Sequence, residues 1–109
     1  MQIIPSKVNF CVSQSKNCKN WLKFHYTLPQ EIPNSFLEFL KELGKVEILD
    51  FSKFSKSSKV FYKMNLEHQF SVEGVLHEKN FLVTVNKNNY ALYEYWQTKF
   101  KQWYQQNVG

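Results

Sequence analysis

Leu22, Phe24, Tyr26 and Leu28 alternate with Lys23, His25 and Thr27, and this two-residue apolar period returns along the chain. It recurs at Val8, Phe10 and Val12, at Val60, Tyr62, Met64 and Leu66, and at Phe81, Val83 and Val85. Side chains on a strand point to alternate faces, so each segment predicts a strand with one buried and one wet face. That pattern belongs to antiparallel sheets, which cover one face and leave the other to solvent.

The connections agree. A polar SQSKN turn makes residues 7 to 28 a β-hairpin. Val46 and Ile48 begin a strand running towards Phe51, and Phe70, Val72 and Leu76 supply another, with Gly74 marking a bulge or a close backbone approach. His77 to Asn80 and Lys87 to Asn89 are turns.

Two segments switch to the helical period. Between Pro33 and Gly44, the residues Phe36, Leu37, Phe39, Leu40 and Leu43 predict a helix over 35–43. Ser35 and Glu38 have the spacing of a capping box, and Gly44 stands where a left-handed C-cap residue belongs. The second helical segment is YALYEYWQTKFKQWYQQ, residues 90 to 106, with Asn89 placed to cap it. Its rings and lysines look at first like a surface on which nucleotide bases could stack. At about 100° per residue, however, Leu92, Tyr93, Trp96, Phe100 and Trp103 share one stripe. The stripe is a sheet-facing core surface, and Tyr95, Tyr90 and Tyr104 are the rings left for solvent.

The order β-β-α-β-β-β-β-α therefore predicts an α+β fold: an antiparallel, meandering sheet with two helices packed on one face. At 109 residues there is room for one core, so residues 1–109 form one domain. Ten Phe, six Tyr and three Trp must supply much of that core.

Composition narrows function by exclusion. The formal net charge is +5, yet all fourteen basic residues are Lys. Arg is the side chain that reads guanine or phosphate with two parallel hydrogen bonds, so sequence-specific DNA reading is disfavoured. Three glycines leave no phosphate cradle of the P-loop or dinucleotide type. Glu47 and Asp50 would face opposite ways on a strand, which is poor for a carboxylate pair. His68 and His77 bracket one strand with opposite parity, and no nucleophile motif accompanies them. Cys11 and Cys18 frame the hairpin turn, where the simple register gives neither a disulfide nor a zinc set, so both are expected as free thiols. No cofactor and no metal is expected, and catalysis is disfavoured.

Two surfaces remain. The outward face of the first hairpin would carry Trp21, Lys23 and His25, a polar-aromatic patch suited to a protein partner or to a homodimer that extends or stacks the sheet. The segment DFSKFSKSSKVFYK interleaves Lys53, Lys56, Lys59 and Lys63 with Phe54 and Phe61. Charge alternating with aromatic platforms is how sequence-tolerant proteins hold single-stranded RNA or DNA. The first expectation is thus a non-catalytic binding or accessory protein acting through protein contacts, and the alternative is a single-stranded nucleic-acid binder. A third is a small-ligand carrier or enzyme with a pocket between sheet and helices. No segment approaches the roughly 18 apolar residues of a membrane span, and MQIIPSKVNF lacks a signal-peptide core, so a cytoplasmic location is expected.

Overall fold

The structure, a computed structural model, describes residues 10–14, 20–50 and 59–108. Its elements in chain order are β1 (Cys11–Gln14), β2 (Trp21–Thr27), α1 (Ser35–Leu43), β3 (Lys45–Asp50), β4 (Val60–Leu66), β5 (Phe70–Val75), β6 (Asn80–Asn86), a 3-10 turn (Lys87–Asn89) and α2 (Tyr90–Asn107). The six strands form one sheet in the order β1-β2-β6-β5-β4-β3, and every neighbouring pair is antiparallel. The α+β class and the two helices are as the sequence predicts.

One connection is not local. β3 to β6 meander, but β2 reaches β3 through α1, on the far edge of the sheet. Counting the antiparallel steps between them makes β2 and β3 parallel, and β6 returns to pair with β2. The chain leaving β2 is stitched to that return by Leu28 N–H donating to the Lys79 carbonyl at 2.7 Å. Ile32 N–H adds a bond to the Glu78 carbonyl at 3.1 Å.

Both helices lie on one face because the apolar parity of all the central strands points there. Phe24 and Tyr26 of β2, Phe81, Val83 and Val85 of β6, Phe70 and Val72 of β5, and Tyr62 and Met64 of β4 are buried in one core. They meet Phe36, Leu37 and Leu40 of α1 and Tyr93, Trp96, Phe100, Trp103 and Tyr104 of α2. Phe100 is the hub. Its ring stacks on Trp96 at 4.8 Å and meets Phe81 and Tyr26 of the sheet, each at 5.6 Å, and Phe36 of α1 at 5.9 Å. Edge-to-face and stacked pairs in this range each add about 0.5–1.5 kcal/mol beyond area burial.

Several local expectations need correction. Tyr104 is 1% exposed, not at the solvent rim, because Phe10 packs on it edge-on at 5.1 Å. The Ser35–Glu38 capping box does not form: Asn34 is the N-cap and makes no side-chain cap bond. The first amides are met by backbone instead, with Phe36 N–H on the Pro33 carbonyl and Leu37 N–H on the Asn34 carbonyl, both at 3.0 Å. Glu38 pairs with Lys41 at 3.6 Å on the exposed side, where such a contact contributes little. Asn89 stands at the N-cap of α2 but donates to the Gln69 side chain at 2.9 Å, while Asn86 accepts from Asn88 N–H.

Gly44 is extended rather than left-handed, with φ −165° and ψ −169°. Crowding explains the glycine: a Cβ there would stand 2.7 Å from both the Asn65 carbonyl oxygen and Met64 Sδ. The break between α1 and β3 is therefore set by close approach to β4. Gly74 lies in continuous register rather than at a bulge, and the Tyr62 ring fills the space its side chain would need.

Two outcomes follow. Gly44→Ala should lower unfolding stability in urea by about 1–3 kcal/mol, the range for forced overpacking. Burial holds the Tyr26 and Tyr62 phenols well above their usual value of 10.0, with the Tyr93 hydrogen bond at 2.8 Å adding to the shift on Tyr26. The folded state then keeps protons that the unfolded chain loses near pH 10, so stability is full below that pH. Above it, stability should fall by about 1.4 kcal/mol per pH unit for each phenol. Ultraviolet titration should show these two phenols ionising only together with loss of near-ultraviolet circular dichroism.

Candidate functional site

The face of the sheet away from the helices carries Trp21, Lys23 and His25 of the hairpin together with Phe61 and Lys63 of the lysine segment. Register fixes this row by row. His25, Leu82, Glu73, Lys63 and Glu47 lie in one line across β2, β6, β5, β4 and β3. Lys23, Thr84, Ser71, Asn65 and Lys45 form the next line. At the opposite margin Leu49, Phe61 and Val75 sit side by side on β3, β4 and β5. Lys63 and Phe61 of the lysine segment thus share one open face with Trp21, Lys23 and His25 of the hairpin. Lys59 is exposed just before β4, and Lys53, Phe54 and Lys56 lie outside the described residues.

Short side chains shape the relief. Ser71 and Thr84 occupy the middle of the sheet, while Trp21, Lys23, Lys63 and His68 rise around them, leaving an open hollow of about 320 Å³. Asn65 and Glu73 complete its polar lining. His68 is held there by a turn in which both Glu67 and His68 adopt left-handed backbone, at φ 52° and 59°. Such residues cost about 1–3 kcal/mol each unless their surroundings fix them. Here Gln69 N–H bonds the Leu66 carbonyl, and the Gln69 carbonyl accepts from Asn86 N–H at 2.8 Å.

The apolar margin is the second feature. Leu49 is 52% exposed and Phe61 40% exposed, directly paired across β3 and β4. Leu82 continues the apolar surface, half-buried beside Glu73. Sequence reading missed Leu49, Leu82, Glu73, Ser71 and Thr84. Strand parity could have placed each on the outer face, but only the strand order brings them together.

Chemistry is sparse among the described residues. No group of three or more His, Cys, Asp or Glu side chains is arranged to hold a metal ion. His25 is on the open face, whereas His68 and His77 occupy separate left-handed turns. Glu47 faces the open side beside Lys63, and Asp50 has the opposite parity beside Val60. Cys11 is an exposed free thiol, and Cys18 lies outside the described residues. Rings fill the middle of the layer between sheet and helices. A cleft of about 270 Å³ opens at its margin, where Phe10, Val12 and Tyr26 face Gln97, Phe100 and Lys101. Among the described residues, no helix is long and apolar enough to cross a membrane.

No known protein family, curated protein or solved structure matches this chain.

Of the three tryptophans, Trp96 and Trp103 are buried, whereas Trp21 is half-exposed beside the hollow. Iodide should therefore quench one fraction of the tryptophan emission, and Trp21→Phe should remove that fraction. Quenching that persists in the variant would show that the last helix is not seated on the sheet.

Proposed function

We propose that the chain is a non-catalytic binding protein whose open sheet face docks another protein. The observation that supports this is the exposed, directly paired Leu49 and Phe61, bordered by a row in which Glu47, Lys63 and Glu73 alternate in sign. An apolar patch bordered by a mixed-charge row is the make-up of a protein interface. Trp21 and His25 extend the same surface towards its other end, with Trp21 the larger anchor.

A single-stranded nucleic acid is the competing occupant, since Trp21, Lys23 and Lys63 line one hollow. The charge arrangement weighs against it. Neighbouring strands are about 4.8 Å apart, so Glu47 and Glu73 both lie well inside the roughly 8–10 Å over which salt screens charge. With Lys45 of the next row, a phosphate approaching Lys63 meets two ammoniums balanced by two carboxylates, so no net positive charge.

Phe61→Asp distinguishes the two. The side chain is exposed, so circular dichroism should be unchanged. The wild-type protein should capture a defined protein after nuclease treatment, and purified Phe61→Asp should bind that protein at least about tenfold more weakly. Binding that nuclease abolishes, that falls steeply with salt, and that ignores Phe61→Asp would replace the protein reading with the nucleic-acid one.

A further inference from the structure

We propose that β3 pairs antiparallel with β3 of a second copy of this chain, joining two six-stranded sheets into one. This concerns the edge of the sheet and does not rest on the open face as a docking surface.

Among the described residues β3 is the last strand of the sheet, paired with β4. Its outer backbone edge is a template for another strand. Two side chains at that edge are unusually bare: Leu49 at 52% and Ile48 at 48% exposed. They point to opposite faces, Leu49 with Phe61 to the open side and Ile48 with Tyr62 to the helical side. A second copy's strand reaches Ile48 at the seam, while Leu49 stands one residue beyond the end of that strand and stays on the open face.

Charge selects the occupant and its register. Lys45 and Glu47 are both exposed and stand two residues apart on the open face. A two-fold axis normal to the sheet and passing through Val46 sets Lys45 opposite the partner's Glu47, and Glu47 opposite the partner's Lys45. On the helical side the same register puts Val46 against the partner's Val46 and Ile48 over the partner's Gly44. Gly44 is extended, so it continues the strand, and it offers Ile48 a position with no side chain to displace. Shifting the axis by one residue to Glu47 would set Glu47 against itself. A further shift would oppose Glu47 to the partner's Leu49. Of these three registers the Val46-centred one alone places unlike charges opposite each other, the arrangement that stabilises antiparallel cross-strand pairs.

Charge reversal tests this in the full chain. Sedimentation equilibrium should show a concentration-dependent dimer for the wild type. Glu47→Lys turns both cross-strand pairs into like charges and should raise the dimer dissociation constant roughly tenfold or more. The double variant Lys45→Glu with Glu47→Lys restores opposite signs and should restore the dimer. Circular dichroism and thermal melting of each variant establish that the fold is intact. A wild type that stays monomeric at several hundred micromolar overturns the proposal. So does a dimer indifferent to Glu47→Lys, or one that the double variant fails to recover. Phe61→Asp should leave the dimer unchanged, so loss of the open-face partner and loss of the dimer report separate surfaces.

Discussion

The ring of Phe100 joins both helices and the sheet at one point of the core. It touches Phe10 ahead of β1 at 5.1 Å, Tyr26 of β2, Phe81 of β6, Phe36 and Phe39 of α1, and its own helix neighbours Trp96 and Trp103. The long crossover through α1 costs closure entropy and gains no strand pairing next to β2. What offsets that cost is the burial of Phe36 between Phe100, Phe81 and Trp103, the last two at 5.0 and 5.2 Å. Each fully buried ring of this kind contributes about 1.5–3 kcal/mol of transfer free energy. The abundance of Phe, Tyr and Trp is therefore a structural requirement of a two-layer fold in which few residues must fill the interior.

The same two-layer design leaves surplus sheet. Six strands at roughly 4.8 Å spacing span about 24 Å, whereas two helices about 10 Å apart cover about 20 Å. The overhang appears at both margins as helix-side residues that no helix covers, Val12 on β1 at 43% and Ile48 on β3. At the β1 margin Phe10 folds over towards α2 and leaves the small cleft beside Lys101. At the β3 margin none of the described residues plays that part, and Ile48 stands 48% exposed.

Much of this was legible in the sequence because local patterns carried it. The helix over 35–43 has its stated bounds since Pro33 and Gly44 fence an unbroken apolar stripe, and the stripe of α2 turned inward as its spacing required. Trp21, Lys23, His25, Phe61 and Lys63 were placed on the outer face by parity alone. What parity could not supply was neighbourhood. Alternation says which way Lys63 points, but not that Glu47 and Glu73 flank it, because that depends on the registers of β3 and β5 against β4. Tyr104 was misplaced for the same reason, since the ring that covers it lies over ninety positions earlier. The Glu67–His68 turn was hidden more deeply: left-handed backbone is usually announced by glycine or asparagine, and neither is there.

Edge and face constrain one another. On a two-fold axis through Val46, Leu49 lies three residues from the axis and its symmetry mate three residues the other way. At about 3.4 Å per residue the two Leu49–Phe61 centres stand roughly 20 Å apart along the strands. They also sit on opposite sides of the axis, so a small globular contact cannot reach both. A partner that engages the joined face at two points must be extended along the strands or carry a two-fold axis of its own. Such a partner gains from the second contact being effectively intramolecular. A compact monomeric partner gains nothing from the pairing. The exposed leucine and phenylalanine thus mean different things for a lone sheet and a joined one: an isolated apolar patch in the first, and one of two fixed anchors in the second.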